Sequence, residues 1–163
     1  RKFGVGHRYT LARQGWLAWN LCLSGRAAEG ERWARQAVDG LRAAAPQDTV
    51  DPEADLMDAI NTLATILRDT GRPEDALPFY EEIHRSRGAS GGVGSLFSLQ
   101  TWVRHAECLL LLGHISDAEQ ELVNCAAAAR AAGHKVTPLC VTTARASQQF
   151  NLRERQPTAL RGV

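Results

Sequence analysis

His105 and Cys108 stand three residues apart, on one face of the chain if that segment is helical, and Cys125 follows in the next apolar run. Imidazole and thiolate are the ligands zinc prefers, but a zinc centre needs a fourth ligand and a surrounding shell that orients the set. The sequence supplies neither, so these residues read as a packed core histidine with two buried thiols, and no metal is expected. The four cysteines, Cys22, Cys108, Cys125 and Cys140, lie 86, 17 and 15 residues apart and form no CxxC pair. All four fall in helical patterns, as expected of reduced thiols that pack as small hydrophobes.

The other groups capable of chemistry are no better placed. Glu74 and Asp75 sit where a helix begins, and there the positive helix end stabilises carboxylates without any catalytic purpose. Glu81 and Glu82 follow on the same segment and face solvent, with no partner to tune either as an acid or base. The run Gly88–Gly94 lacks the Gly-Lys-Ser/Thr that would let it hold a phosphate, so it reads as a linker. No GxSxG or HExxH occurs, and no Ser/His/Asp set can be localised. The expectation is a chain that is not an enzyme and carries no cofactor.

The elements that would position these residues are suggested by composition. Of 163 residues, 44% are hydrophobic and 23% charged, near the average for a globular domain, which argues against disorder. Only 6% are aromatic while Ala and Leu abound, which favours helix over sheet. No run of about 18 uncharged apolar residues is present, and Arg1 to Thr10 has no apolar core, so neither a membrane span nor a signal peptide is expected. The reading is cytoplasmic. Because the sequence does not open on Met, it is expected to be a segment of something longer. The net charge of +1 gives no reason to expect nucleic acid or a membrane, yet it hides an uneven distribution. Residues 1–42 carry +5, residues 48–82 carry −8 and residues 83–163 carry +4. An acidic middle between basic ends could steer a basic partner or promote contacts between copies.

Apolar residues recur at helical spacing almost throughout. Leu17, Ala18 and Leu21 mark one face, then Trp33, Ala34, Ala37, Val38 and Leu41. Leu56, Ile60, Leu63, Ala64 and Leu67 follow, then Ala76, Leu77, Tyr80 and Ile83. Trp102, Ala106, Leu109 and Leu110 precede Ala118, Leu122, Cys125 and Ala126. No comparable window alternates with period two, so the class is all-α. Gly25, Gly71 and Gly113 interrupt these runs where a left-handed residue ends a helix. Pro73 suits a first helical turn, Asp51-Pro52 and Thr137-Pro138 read as caps with first-turn prolines, and Ser116 with Glu119 has capping-box spacing. Three helical hairpins emerge, over about 10–46, 52–88 and 95–133, between an N-terminal segment 1–9 and a closing helix 137–152 with a polar tail 153–163.

The three glycine corners superpose, 46 and then 42 residues apart. Before each come Leu17-Ala18, Leu63-Ala64 and His105-Ala106, then Leu21, Leu67 and Leu109. After each come Gly30, Ala76 and Ala118, then Ala34, Tyr80 and Leu122. A small residue at the hairpin crossing lets the helices approach, and a bulky one beyond it fills the gap. This pattern resembles the tetratricopeptide repeat, W-x2-L-G-x2-Y then A-x3-F. Trp102-x2-His105-Ala106-x2-Leu109 with Ala118-x3-Leu122 carries it, as does Leu63-Ala64-x2-Leu67 with Ala76-x3-Tyr80. The 42-residue spacing is similar to the longer repeats of the kinesin-light-chain-like branch, and Thr62 to Ala76 looks like repeats of large actinobacterial regulators.

The resemblance implies a solenoid of about three hairpins whose first helices line a concave groove. Carried onto this sequence, the groove positions are Trp19 and Cys22, then Asp58, Asn61, Thr65 and Arg68, then Gln100, Val103, Glu107, Leu110 and Leu111. Asp58 stands where the family's carboxylate clamp has Lys, so a binder of C-terminal carboxylates is not expected. Trp19 is expected to be exposed in the groove, whereas Trp16, Trp33 and Trp102 read as core. The implied function is a non-catalytic protein-interaction scaffold, part of a bacterial regulator, binding a peptide, a partner helix or a second copy. The alternative is a sensor that takes a small peptide or metabolite.

Overall fold

The computed structural model describes residues 4, 6–44, 51–89 and 94–134. Among these, all regular structure is helical: α1 (Arg8–Leu23), α2 (Ala27–Ala43), α3 (Pro52–Asp69), α4 (Pro73–Ala89), α5 (Leu96–Leu111) and α6 (Ile115–Ala131). The expected closing helix 137–152, the Thr137-Pro138 start, Cys140 and the tail 153–163 lie outside the described residues. The chain forms two compact units, Arg1–Ser86 and Arg87–Val163.

The three corners share one construction. Gly25, Gly71 and Gly113 have φ of +78°, +80° and +81°, which L side chains rarely adopt. The amide after each glycine donates back to the carbonyl of Leu21, Leu67 or Leu109, at 2.9 Å every time. The glycine amide itself donates to Cys22, Arg68 or Leu110, which completes a Schellman closure. Gly133 (φ +75°) ends α6 in the same way, with His134 donating to Ala129. The residue after each corner glycine then meets an acid three positions on. Arg26 pairs with Glu29 and Arg72 with Asp75, while His114 lies 3.8 Å from Asp117. Asp51 caps α3 by accepting from the Ala54 amide at 2.9 Å, with Pro52 opening the helix as expected. For α6 the expected cap is corrected: the corner closure itself sets the entry, so the helix starts at Ile115 and Ser116 falls inside its first turn.

In the first unit, α1 packs on both α2 and α3, and α2 also packs on α3. The core is formed by Ala18, Leu21, Ala34, Ala37, Val38 and Leu41 from the first pair, with Ile60, Leu63, Ala64, Leu67, Ala76, Tyr80 and Ile83 from the second. Gly30 lies so close to α1 that a Cβ there would stand 2.7 Å from the Ala18 carbonyl oxygen. The Arg42–Glu82 ion pair (2.6 Å) and a Ser86–Glu53 hydrogen bond tie α4 to α2 and α3. The second unit packs α5 on α6 through Leu99, Val103, Ala106, Ala118, Leu122, Cys125 and Ala129, with Trp102 half-buried against them. Gly94 approaches α6 closely, since a Cβ on it would lie 2.7 Å from that of Ala132.

Three further expectations change. Trp16 is 66% exposed and Leu17 44% exposed, because α1 has apolar residues on more than one face and its periodicity does not single out the buried one. Trp33 is half-buried, at the margin of the α2 face that packs inward. Gly88 and Ala89, read as the start of a linker, still belong to α4.

Candidate functional site

The first helices of successive pairs form the surface of interest, and in the first unit α1 and α3 lie directly against each other. At Gly15, where α1 faces α3, a Cβ would meet the Ala59 Cα at 4.0 Å, an ordinary contact, so the approach does not depend on the glycine. Arg8 bridges three helices. Its guanidinium is buried, donates to the carbonyls of Leu41 (3.2 Å) and Pro52, and lies 3.7 Å from the Asp55 carboxylate. One side chain thus joins the start of α1 to the end of α2 and the start of α3. Sequence reasoning passed over Arg8, and a lone arginine at a helix start gives no signal of burial.

The outward stripe of α3 carries Asp58, Asn61 and Arg68. Asp58 is exposed, and Asn61 and Arg68 are half-buried. Arg68 is held along the stripe by Asp69, with Nε–Oδ1 of 2.9 Å. Thr65 is placed differently from a groove contact, being buried and engaged inward. Its hydroxyl donates to the Asn61 carbonyl at 2.8 Å, which leaves its oxygen to accept from the Tyr80 hydroxyl of α4 at 3.3 Å. On α1, Trp19 and Cys22 are both half-buried, one turn apart. The Cys22 thiol is pushed up, first by burial and then by the carboxylates of Asp69 and Glu31. It therefore stays protonated at neutral pH and is a poor nucleophile. Sequence reasoning also missed exposed Trp16, three positions before Trp19, although its residue type alone marks it as a contact candidate.

In the second unit, α5 presents Gln100 and Leu111, both exposed, with Glu107 and Leu110 half-buried. Val103, expected with them, belongs instead to the α5–α6 core. His105 is buried and points its Nδ1 at Glu121 Oε1, 3.8 Å away, while the Cys125 thiol donates to the Leu99 carbonyl at 3.6 Å.

The second hairpin combines a Schellman corner at Gly71, a fully buried Ala76 at the crossing and a fully buried Tyr80 one turn later. Residues 56–88 match the tetratricopeptide repeat. The match runs from Leu56 in α3 to Gly88 in α4, so it spans most of that helical pair. No curated protein matches the chain. The first and third hairpins repeat the corner of this matched hairpin, with Gly30 and Ala118 at the crossing, both buried. Tetratricopeptide repeats generally mediate protein–protein interaction and are typically non-catalytic scaffolds. Among the described residues, no helix is long and apolar enough to cross a membrane.

Proposed function

We propose that this chain is a non-catalytic interaction module that binds a peptide or a helix of another protein along the first helices of its hairpins. The observation that carries this reading is the side-by-side packing of α1 and α3, with Trp19 half-buried on one and exposed Asp58 and half-buried Asn61 and Arg68 on the other. An aromatic anchor beside charged and amide groups is the composition of a binding surface, in which the aromatic supplies apolar area and the polar groups supply register. In the second unit, α5 carries a stripe of the same kind with Gln100, Glu107 and Leu111. Thr65 and Val103 support it from beneath rather than by contact. The resemblance to repeats of large bacterial regulators supports a place in a regulatory protein of the cytoplasm, with no direct contact to nucleic acid.

A peptide array screened on the full chain, with hits titrated by tryptophan fluorescence, tests this. Trp19→Ala and Asp58→Arg should each weaken the hits at least about tenfold, as loss of an anchor or inversion of a contact charge does. If both variants bind every hit as tightly as the parent, the surface lies elsewhere.

A further inference from the structure

α1 has a second apolar face, directed away from the residues it buries against α2 and α3. Tyr9, Arg13, Trp16, Asn20 and Leu23 are all exposed, and they follow one another at intervals of four, three, four and three. That is the spacing of a coiled-coil seam, with Tyr9, Trp16 and Leu23 at one of its two core positions and Arg13 and Asn20 at the other. Tyr9 is 50% exposed, Trp16 66% and Leu23 68%, with Leu17 alongside at 44%. Three large apolar side chains recurring every seven residues on one face form a patch rather than the scattered exposure that a protein surface normally shows.

We propose that this face pairs with the same face of a second copy, the two α1 helices running antiparallel about a two-fold axis. An isologous contact requires a surface that complements itself, and this seam does. In antiparallel pairing, each core position meets the other kind of position on the opposite helix. With the dyad between residues 14 and 15, close to the middle of the helix, Arg13 meets Trp16 of the second copy. Asn20 then meets the Tyr9 hydroxyl. Both polar residues of the seam thus meet an aromatic, one by a cation–π contact and one by a hydrogen bond. Arg13 is already held flat on this face, its guanidinium 4.9 Å from the Tyr9 ring centre. Removing the exposed parts of Tyr9, Trp16 and Leu23 from water on both copies buries about 850 Å² of apolar surface, the size of a weak, transient interface. Area of this size does not fix an affinity, so the equilibrium is sought across the micromolar range. Trp19 lies to the side of the seam, so Trp19→Ala separates this contact from peptide binding, although Leu23 holds in α1 the register position that Leu111 holds in α5.

Sedimentation velocity of the full chain across that concentration range tests the pairing. A monomer–dimer equilibrium is expected, with Trp16→Glu and Leu23→Lys each weakening it by about a hundredfold, since a charge would be buried at the seam. Both residues are mostly exposed, and an unchanged far-UV circular dichroism spectrum shows that each variant is folded. Arg13→Glu should weaken the dimer about tenfold through loss of the two cation–π contacts, while Trp19→Ala should leave it intact. A chain that stays monomeric throughout overturns the proposal. So does a dimer indifferent to Trp16→Glu and Leu23→Lys, or one that Trp19→Ala abolishes. A dimer indifferent to Arg13→Glu overturns the antiparallel register.

Discussion

Replacing Gly30 by alanine tests how the first hairpin is built. The tetratricopeptide pattern that this hairpin resembles has alanine at the equivalent position, and the substitution gains about 1 kcal/mol of helix propensity. The structure predicts the opposite sign. A Cβ at Gly30 would stand 2.6 Å from Cys22 Sγ and 2.7 Å from the Ala18 carbonyl oxygen. The thiol can rotate away, but the carbonyl belongs to the backbone of α1, so the two helices must separate by several tenths of an ångström. Separation loosens the contacts of Ala18, Leu21, Ala34 and Ala37, which are nearly inaccessible to water in the folded hairpin. Overpacking of this kind costs about 3 kcal/mol at its upper range, so the net loss is about 2 kcal/mol after the propensity gain. That corresponds to a fall in Tm of about 4–8 °C for a chain of this size. Two other glycines provide the comparison in urea unfolding followed by tryptophan fluorescence. At Gly40 a Cβ would meet the Leu11 side chain, Cδ2 at 2.5 Å, Cδ1 at 3.0 Å and Cγ at 3.3 Å, but no backbone, so alanine there should cost less than at Gly30. At Gly15 the nearest atom is 4.0 Å away, and alanine should stabilise by about 0.5–1 kcal/mol. Gly30→Ala unfolding at or above the parent's urea midpoint would refute the close-approach argument.

Other expectations follow from the corners and the ion pairs. Gly71→Ala should cost about 1–2 kcal/mol from backbone strain alone at φ +80°, since nothing lies within 4 Å of the added methyl; Gly71→Asn should recover part of the lost urea midpoint. Burial alone would raise the Glu31 carboxyl, but hydrogen bonds from Arg35 and Arg72 outweigh it and hold the group below the usual carboxylate range. The stabilisation is therefore present above the unfolded value, near pH 4.3, and is lost as pH falls through the lower folded value. Glu31→Gln should flatten the acid side of a plot of urea midpoint against pH. Tyr80→Phe should lower stability by about 1 kcal/mol, measured by the same unfolding curve, because the hydroxyl that Thr65 accepts is removed from a buried site.

The helices and corners were legible because their causes are local. A glycine at a left-handed position, a proline in a first turn and an aspartate cap act within a few residues, and Gly25, Gly71, Gly113, Pro52 and Asp51 were read correctly on that basis. Position on a face was less legible. α1 has Leu11, Trp16, Leu17, Ala18, Trp19, Leu21 and Leu23 spread around the helix, so periodicity could not decide that Leu11, Ala18 and Leu21 turn inward and Trp16 and Leu17 outward. Thr65 and Val103 were placed by analogy with the groove, but the first is drawn inward by Tyr80 and the second by the α5–α6 core. The Ser116 cap failed for a different reason: a closure formed by the preceding helix competes with a side-chain cap and starts α6 earlier. Arg8 could not be foreseen at all, since its partners are carbonyls distant in sequence.

The bonds that close the three corners run from residue 26 to 21, 72 to 67 and 114 to 109. Each spans five positions, so a hairpin can form its turn before any distant contact exists. Folding governed by such short-range closures meets little loop-entropy cost in its early steps and is correspondingly fast. It also lets nucleation begin in any of the three pairs, as repeat architectures allow. A chain emerging during synthesis could therefore complete its first hairpin while the second is still being made.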